Sequence, residues 1–338
     1  MILYDPQLTI EMYPYGIQIP VKDSRARKTF EHLRSHDRLG MLVEKWHHNK
    51  ISARLTIEDL ERVHAPEYVQ RLFSDGLEDE LVRTYELIDV QGNYNRYDPD
   101  SATHPLTDMR QWILTKAAGT YQTCRTALKK GFCFYFAGGM HHAQQGAGGG
   151  FCLINDIVIA IRRLQAESRI QHSWVIDLDA HKGDGTAALT ADDDSIRTLS
   201  IHMAHGWPLD QPQTDEKGRP NPSFTPSDVD IPIGAEESEH YNVRLKEGIA
   251  RLGRLSKPDL AIVVSGSDPY EADELPSTGS LALTLQQLME RDRMVYSFLM
   301  AADSPAAYLM AGGYGENSWR VYAQFLEWVL LKRLPDIA

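Results

Sequence analysis

An apolar, β-rich run leads directly into a polar cluster in Trp174-Val-Ile-Asp177-Leu-Asp179-Ala-His181-Lys-Gly-Asp184-Gly. Three more β-rich runs end in the same way: 132–137 before Gly-Gly-Met-His-His, 260–264 before Ser-Gly-Ser-Asp, and 307–310 before Ala-Gly-Gly-Tyr-Gly. Ligands of an open parallel sheet bind at the carboxyl ends of its strands. We therefore expect the four clusters to meet at one rim.

Strands alternate with long helical segments on either side of these clusters. Strands are predicted at 132–137, 174–179, 196–202, 260–264 and 306–310, and helices at 25–34, 57–63, 66–73, 108–130, 155–166, 240–255, 284–302 and 318–333. This alternation predicts an α/β fold with a central, mostly parallel sheet flanked by helices on both faces. With 338 residues and no obvious linker, we expect a single domain over 1–338.

Two segments are predicted to lack regular structure. Residues 75–105 are acidic, polar and aromatic, which predicts a long surface loop with 90–104 at the rim of a pocket. The segment Pro208–Pro232 carries six prolines and is predicted to be irregular, because proline has no N–H to give to a strand ladder.

Charge and cysteine usage exclude several classes of protein. A net charge of −12, without a long Lys/Arg run, argues against direct nucleic-acid binding and favours a cationic substrate. Three cysteines without metal-type spacing favour reduced thiols. The chain begins without a signal-peptide pattern, and no apolar run approaches the roughly 18 residues of a membrane helix. We expect no membrane partner and a cytoplasmic location.

The spacing of Asp177, Asp179 and His181 suggests a metal site. Residues at i, i+2 and i+4 of an extended segment point to one face, so Asp179 and His181 can offer an oxygen and a nitrogen to one cation. Asp268 is the best third ligand, because it follows the next strong strand beside Gly266. Three protein ligands leave a position open for water, as in catalytic zinc sites. A polar strand end with capping residues is the alternative for this segment alone.

His141 and His142 need partners if they are buried at a strand end. Asp177 and Asp184 are the carboxylates left over from the metal, and a carboxylate bound to Nδ1–H fixes the tautomer of a histidine. Such pairs beside an activated water supply a general base and a general acid. A surface or structural role is the alternative for an isolated His-His.

Two glycine-rich segments complete the prediction. Tyr314 lies in a close-approach turn from which its hydroxyl can donate to an oxyanion, although packing is the commoner role of such a tyrosine. Gly148–Gly150 lacks the spacing of a phosphate loop and is interpreted as backbone that lines a pocket. Phe151 is a candidate wall of that pocket and Trp207 a candidate facing wall, with a core position as the alternative for either ring.

Taken in order, these motifs resemble the zinc-dependent histone deacetylase family of the arginase/deacetylase fold. The resemblance extends from about residue 55 to the C-terminus, and the residues of the motifs are most similar to those of the class IV branch and its bacterial deacylase relatives. It rests on the following matches: Val63-His-Ala-Pro-Glu-Tyr68, His141-His-Ala, Gly150-Phe-Cys, Asp177-Leu-Asp-Ala-His181-x-Gly-Asp-Gly, Gly266-x-Asp268 and Gly313-Tyr314.

The resemblance implies a lysine deacetylase or deacylase, in which a metal-activated water attacks the amide of an acylated amine. It implies one Zn²⁺ per chain on Asp179, His181 and Asp268; a base and acid pair of His141, oriented by Asp177, and His142, oriented by Asp184; and Tyr314 as oxyanion donor. It also implies a K⁺ ion bound by the backbone of Asp177, Asp179 and His181 with Ser200 and Ile201, and substrate contacts from Gly150, Phe151 and Trp207. The substrate is then an acylated lysine of a protein or peptide, or an acylated small amine.

Two positions depart from the family pattern. Lys182 replaces a second histidine that is not a ligand, so the metal site is complete without it. Trp207 replaces a common phenylalanine in a shorter loop, which leaves the acyl-chain preference open.

Three competing functions remain open at this stage. A ureohydrolase of the same fold binds two manganese ions through about six His/Asp ligands, and here Tyr314 and the single Asp268 fit one metal better. An acetylpolyamine amidohydrolase would differ by a narrower tunnel. A binding protein without catalysis is the third alternative, because fold does not determine function.

Overall fold

The computed structural model describes residues 1–8, 12–19, 24–214 and 217–337. In these ranges eight parallel strands form one open sheet, which confirms the predicted fold class. The strands are β1 (Ile2–Leu3), β2 (His47–His48), β3 (Phe132–Tyr135), β4 (Ser173–Asp177), β5 (Ile196–Met203), β6 (Val229–Ile233), β7 (Leu260–Ser265) and β8 (Ala306–Met310).

The helices of the described ranges flank this sheet. They are α1 (Ser24–Ser35), α2 (Asp37–Gly40), α3 (Val43–Trp46), α4 (Ile57–Glu61), α5 (Pro66–Leu72), α6 (Leu77–Thr84), α7 (Met109–Lys130), α8 (Asp156–Ala166), α9 (Asp184–Thr190), α10 (Tyr241–Leu255), α11 (Leu285–Ala301) and α12 (Trp319–Ile337). None of these described helices combines the length and apolarity needed to cross a bilayer.

Strand order explains why the polar clusters meet. The sheet runs β2-β1-β3-β8-β7-β4-β5-β6. The four clusters follow β3, β8, β7 and β4, which are four adjacent strands at the centre of the sheet. Since all strands run parallel, their carboxyl ends lie at one edge, and the clusters share it.

Alternate strand residues belong to two cores, one on each face of the sheet. Phe132 and Phe134 pack in the core covered by α1, α10, α11 and α12, whereas Cys133 and Tyr135 pack in the core covered by α7 and α8. A strand buried on both faces is an apolar run rather than an alternating pattern. This burial explains the continuous apolar stretches in the sequence.

The first third of the chain folds over one end of α7 and α8. Leu60, Tyr68 and Leu81 of α4, α5 and α6 pack there with Ile113 and Val158 in a third apolar cluster. Thr56 caps α4, because its hydroxyl accepts the Asp59 N–H while the Asp59 carboxylate accepts the Thr56 N–H. The prediction of an irregular segment over 75–105 was wrong at Leu77–Thr84, where buried Leu77 and Leu81 stabilise a helix.

The prediction for Pro208–Pro232 was wrong at its end. Residues Val229–Ile233 form β6, which includes Pro232. β6 is the last strand of the sheet and pairs only with β5 among the described strands. An edge strand tolerates proline because one side of it makes no ladder hydrogen bonds.

Candidate active site

Among the residues that the structure describes, one group of three could hold a metal ion. Asp179, His181 and Asp268 each offer one ligand atom, and these atoms lie within 4.8 Å of one another. All three residues are buried, and Oδ2 of Asp268 has no hydrogen-bond partner in the described structure. A buried carboxylate oxygen without a partner is costly unless a cation binds it. The two oxygens and one imidazole nitrogen therefore fit a zinc ion.

His181 presents the nitrogen that such an ion needs. Its Nδ1 lies 3.4 Å from Oδ1 of Asp179 and 3.5 Å from Oδ2 of Asp268. The other ring nitrogen, Nε2, lies 3.4 Å from the Ser277 hydroxyl, whose oxygen can accept a hydrogen bond from Nε2–H. This arrangement leaves Nδ1 as the metal-facing atom.

The backbone after β4 brings these ligands together by turns and not by an extended segment. The strand ends at Asp177, so the same-face argument for Asp179 and His181 was wrong in its geometry. Instead, the Asp177 carboxylate accepts the Asp179 N–H at 3.2 Å, and the Asp179 carboxylate accepts the His181 N–H at 3.0 Å. Aspartates commonly bind a backbone N–H two residues ahead, which makes a tight turn.

Glycine is required where β8 approaches the ligands. A Cβ on Gly312 would lie 2.3 Å from Oδ2 of Asp179 and 2.4 Å from Oδ2 of Asp268. The Gly312 N–H itself donates to Asp179 at 2.9 Å. The Gly-Gly of the last polar cluster therefore serves the metal ligands as well as the tyrosine that follows.

A buried arginine of α11 connects the two loops that carry Asp179 and Asp268. The Arg291 guanidinium, fully buried on α11, donates to the carbonyls of Leu178 at 3.2 Å and Gly266 at 2.9 Å. Leu178 precedes Asp179, and Gly266 lies two residues before Asp268. The charge of Arg291 is matched by Asp292 at 2.8 Å.

The two adjacent histidines each bind a separate carboxylate. Nδ1 of His141 lies 2.7 Å from Oδ2 of Asp177, and Nδ1 of His142 lies 2.7 Å from Oδ1 of Asp184. Their ring centroids are 3.9 Å apart, and both residues are buried. The pairing is the one that the resemblance implied.

A left-handed turn directs this pair toward the ligands. Gly138 and Gly139 have φ values of 83° and 80°, and a Cβ on Gly139 would lie 2.8 Å from that of Ala311. The buried carboxylate of Asp156 accepts the N–H groups of Gly139 at 3.1 Å and Met140 at 2.7 Å. The start of α8 thus holds the turn in place.

The electrostatic environments of the two histidines differ. Burial by itself lowers the pKa of His141, but the carboxylates of Asp177 and Asp179 outweigh it and raise the pKa to about 9. Burial and the neighbouring His141 lower the pKa of His142 to about 4, despite Asp184. Pairs of titratable groups whose pKa values are pushed apart are typical of acid/base sites.

Tyr314 faces the same cavity with its backbone held on both sides. Its N–H donates to Oδ2 of Asp273 at 2.8 Å, and its carbonyl accepts the Ser318 hydroxyl at 2.8 Å. Burial, followed by the charges of Asp179 and Asp268, raises the pKa of the phenol well above its usual value. The hydroxyl therefore stays protonated, as a hydrogen-bond donor must.

All these groups open onto one cavity of about 140 Å³. His141, His142, His181 and Tyr314 line it together with Gly150 and Phe151, and Arg25 and Lys116 are also among the lining residues. The metal-facing group and both histidine pairs therefore reach a common volume.

Of the two predicted aromatic walls, Phe151 lines this cavity and Trp207 lies beside it. Phe151 stacks on Tyr85 with 6.1 Å between centroids, whereas Trp207 packs edge-on against His142 and His181. Gly150 separates them, since a Cβ there would lie 2.3 Å from the Trp207 ring. None of the described residues that line the cavity comes from 90–104; this segment reaches the site through Arg96, 5.6 Å above the Phe151 ring.

The residues expected to bind potassium lie at and just after the end of β4 and in the adjoining middle of β5. Ser200 pairs in register with Asp177, and its hydroxyl accepts the Gly183 N–H at 3.4 Å. Lys182 is buried, and its ammonium lies 3.4 Å from the Asp230 carboxylate of β6.

Several contacts at the site had no signal in the sequence. Gln144 and Ser223 donate to Asp184, and Arg291 bridges the ligand loops. Asn155-Asp156 predicts only a helix start, which the structure confirms through the Asn155 cap. Its second role, holding the histidine turn, depends on a distant contact that local pattern does not encode.

Comparisons with known proteins agree on one family. A sequence profile described as the histone deacetylase domain matches residues 19–329. An uncharacterized protein of Picosynechococcus sp. is 33% identical over 258 residues, which are 76% of this chain and 76% of that protein. Histone deacetylase 2 of Arabidopsis thaliana is 29% identical over 212 residues, 63% of this chain and 52% of that protein.

A bacterial relative and a solved structure extend the comparison. The acetoin utilization protein AcuC of Staphylococcus aureus (strain COL) is 32% identical over 205 residues, 60% of this chain and 51% of that protein. The alignments thus span about half of the plant and staphylococcal relatives. The crystal structure of an HDAC homolog from Aquifex aeolicus matches with a TM-score of 0.66 at 20% identity, over 98% of this chain and 82% of that one, a likeness of fold.

Proposed function

The chain belongs to the histone deacetylase family of hydrolases, and we propose that it hydrolyses the amide of N-acylated lysine in proteins or peptides. In this proposal residues 1–338 act as one catalytic domain in the cytoplasm. One observation carries the proposal: the histidines of two His–Asp pairs and two of the three candidate metal ligands, Asp179 and His181, line the same small cavity.

Asp179, His181 and Asp268 would hold one zinc ion. When bound, this ion would supply a Lewis acid for the amide carbonyl and would lower the pKa of a water molecule. The partnerless Oδ2 of Asp268 supports the assignment. One three-residue group in the described structure favours one ion over the two-manganese site of a ureohydrolase. A potassium ion on Asp177, Asp179, His181, Ser200 and Ile201 is part of the same proposal.

The protein side chains perform the proton transfers. Asp177 and Asp184 hold their histidines by Nδ1, so Nε2 is the nitrogen left to accept or donate a proton in the cavity. The two histidines then serve together as the base and acid pair that carries the proton from water to the leaving amine. Because their pKa values are pushed apart in opposite directions, the pair can hold one proton between them.

Tyr314 donates to the oxyanion that forms when the carbonyl is attacked. Its phenol lines the cavity with His142 and His181, and its raised pKa keeps the proton in place. Phe151 and Trp207 would contact the methylene stem of the substrate, with Gly150 between them. The negative net charge of the chain favours the approach of a cationic lysine peptide.

A substrate panel tests this function. Zinc-reconstituted protein is assayed with acyl-lysine peptides, N-acetylated polyamines and guanidino compounds. Hydrolysis of acyl-lysine with the highest kcat/KM supports the proposal. A clear preference for acetylpolyamines, or release of urea from a guanidino compound, would replace it with the corresponding alternative, and no turnover of any compound would favour a binding protein.

A further inference from the structure

Asp184 receives more side-chain hydrogen bonds than its histidine pairing requires. Its Oδ1 accepts Nδ1–H of His142 at 2.7 Å. Its Oδ2 accepts two further donors, the side-chain amide of Gln144 at 3.0 Å and the hydroxyl of Ser223 at 2.6 Å. The residue is 3% exposed, so these protein donors replace the water that would otherwise solvate its charge.

The equivalent carboxylate of the other pair lacks such donors among the described residues. Asp177 binds His141 through Oδ2, while its Oδ1 accepts a backbone N–H, that of Asp179, at 3.2 Å. Hydroxyl and amide donors from side chains therefore distinguish the His142 pair from the His141 pair. The difference lies in residues that do not touch the metal-binding group.

Ser223 and Trp207 both lie in the loop that connects β5 to β6. Ser223 lies in a short turn, Pro222–Phe224, where its N–H donates to the Asn221 side chain at 3.0 Å. Asn221 in turn binds the Pro212 carbonyl at 2.9 Å, which ties the two arms of the loop together. Trp207, near the beginning of the loop, contacts the ring of His142 at 4.4 Å. The loop thus touches both members of the pair.

We propose that Ser223 and Gln144 are positioning residues that hold Asp184 ionised and oriented, and so fix His142 as the Nδ1–H tautomer with Nε2 free for proton transfer. The inference rests on the proposed function, because it assigns His142 a proton-transfer role. The hydrogen bonds of His142 and Ser223 keep the pKa of Asp184 below its usual value even though burial raises it. An ionised carboxylate accepts from all three donors at once, whereas a protonated one would face a donor with its own proton.

Kinetics of loop variants test the positioning role. Outer partners of site residues are typically worth about 10- to 100-fold in activity. Ser223→Ala should lower kcat by about 10-fold with KM nearly unchanged, while Ser223→Thr, which keeps the hydroxyl, should retain most of kcat. The matched control is Ser227→Ala in the same loop, which removes a hydroxyl that is not among the described donors to Asp184 and keeps the backbone N–H that binds Asp230 at 3.1 Å; it should keep kcat.

A double-variant cycle separates positioning from general loop damage. In an Asp184→Asn background, Ser223→Ala should cause no further loss, since the charge that it serves is gone. An unchanged kcat in Ser223→Ala, or an equal loss in the Asp184→Asn background, would overturn the proposal.

A spectroscopic measurement keeps the inference testable if the protein hydrolyses none of the panel compounds. The ¹⁵N shifts of the His142 ring, assigned by their loss in His142→Gln, report its tautomer without any substrate. Wild type should show the Nδ1–H form alone, and Ser223→Ala/Gln144→Met a mixture of forms. An identical Nδ1–H signature in both proteins would contradict the positioning role, whereas absence of turnover with the expected signatures would refute only the proposed function.

Discussion

The indole ring of Trp207 packs edge-on against the imidazole of His142, with 4.4 Å between the ring centroids. The same ring lies 5.9 Å from His181, so one aromatic side chain covers both a proton-transfer candidate and a metal-ligand candidate. Gly150 leaves the space in which the two rings meet, since a Cβ there would lie 2.3 Å from the Trp207 ring and 2.5 Å from the His142 ring. Trp207 therefore lies directly beside the proposed substrate path.

Replacing Trp207 should change which acyl chain is preferred without removing catalysis. Trp207→Ala opens space beside His142, and a pocket contact of about one methylene changes discrimination by roughly 1–3 kcal/mol. We expect kcat/KM to shift from acetyl toward butyryl and octanoyl substrates. Trp328→Ala, far away on α12, is the control for loss of a tryptophan. The same ranking and the same kcat/KM for each substrate would place Trp207 outside the path.

Removing the phenol hydroxyl at Tyr314 should reduce turnover and spare the metal. Loss of one oxyanion donor typically costs about 10²–10³ in kcat, or roughly 3–4 kcal/mol. Tyr314→Phe should therefore show that loss while binding zinc as tightly as wild type in a chelator competition. A variant with full kcat would exclude Tyr314 as the donor.

Arg291 should control metal affinity, although it does not face the cavity. Arg291→Lys keeps a charge but cannot bridge the Leu178 and Gly266 carbonyls in the same way, so the two ligand loops lose their common support. Outer supports of this kind are worth about 10- to 100-fold in metal affinity. Chelator competition should show that loss in Arg291→Lys and none in Arg293→Lys, an exposed arginine on the same helix. Wild-type affinity in a folded Arg291→Lys variant would contradict this role.

The protein should lose stability in acid partly through His64. This buried histidine donates to the Gln144 carbonyl at 2.9 Å and accepts the Asn155 N–H at 3.0 Å, and burial lowers its pKa from 6.5 to about 4. As the pH falls, His64 is therefore protonated in the unfolded chain before it is protonated in the folded chain. Its contribution to the free energy of unfolding is complete above pH 6.5 and is lost as the pH falls to about 4. It amounts to roughly 3 kcal/mol.

Denaturant unfolding from pH 7 to pH 4 checks this sign. His64→Gln can make similar hydrogen bonds. Between pH 6.5 and pH 4 its free energy of unfolding should fall less steeply with pH, because about one proton fewer is taken up on unfolding. Part of the acid sensitivity remains through His142, whose pKa is also lowered. His240→Gln, at an exposed position, is the control. Equal slopes for wild type and His64→Gln would show that His64 is not the group responsible.

The sequence predicts those parts of the fold in which local pattern and burial agree. The runs at 132–137, 260–264 and 306–310 are apolar because both faces of the sheet are covered, and their strands form where expected. The edge strand β6 was missed because Pro232 argues against a strand ladder unless the position of that strand at the edge of the sheet is known. That position depends on the order of all strands, which no local segment determines.

The same distinction applies to the candidate site. The metal-binding and histidine residues follow strand ends, so a sheet with parallel strands is enough to bring them together. Ser223, Gln144 and Arg291 reach the site from a loop, a turn and a helix, and their partners are distant in sequence. A single hydroxyl, amide or guanidinium with a distant partner leaves no motif in the local sequence. Its role becomes visible only from the contacts of the folded chain.

Metal reconstitution tests the central claim most directly. Protein stripped with a chelator is titrated with Zn²⁺ while the release of acetate from an acetyl-lysine peptide is measured, with Asp268→Asn as the ligand-deficient control. The account predicts that activity rises in proportion to added zinc, reaches its maximum at one ion per chain and stays absent from Asp268→Asn. Activity that persists in stripped protein, or that requires two ions per chain, would contradict it.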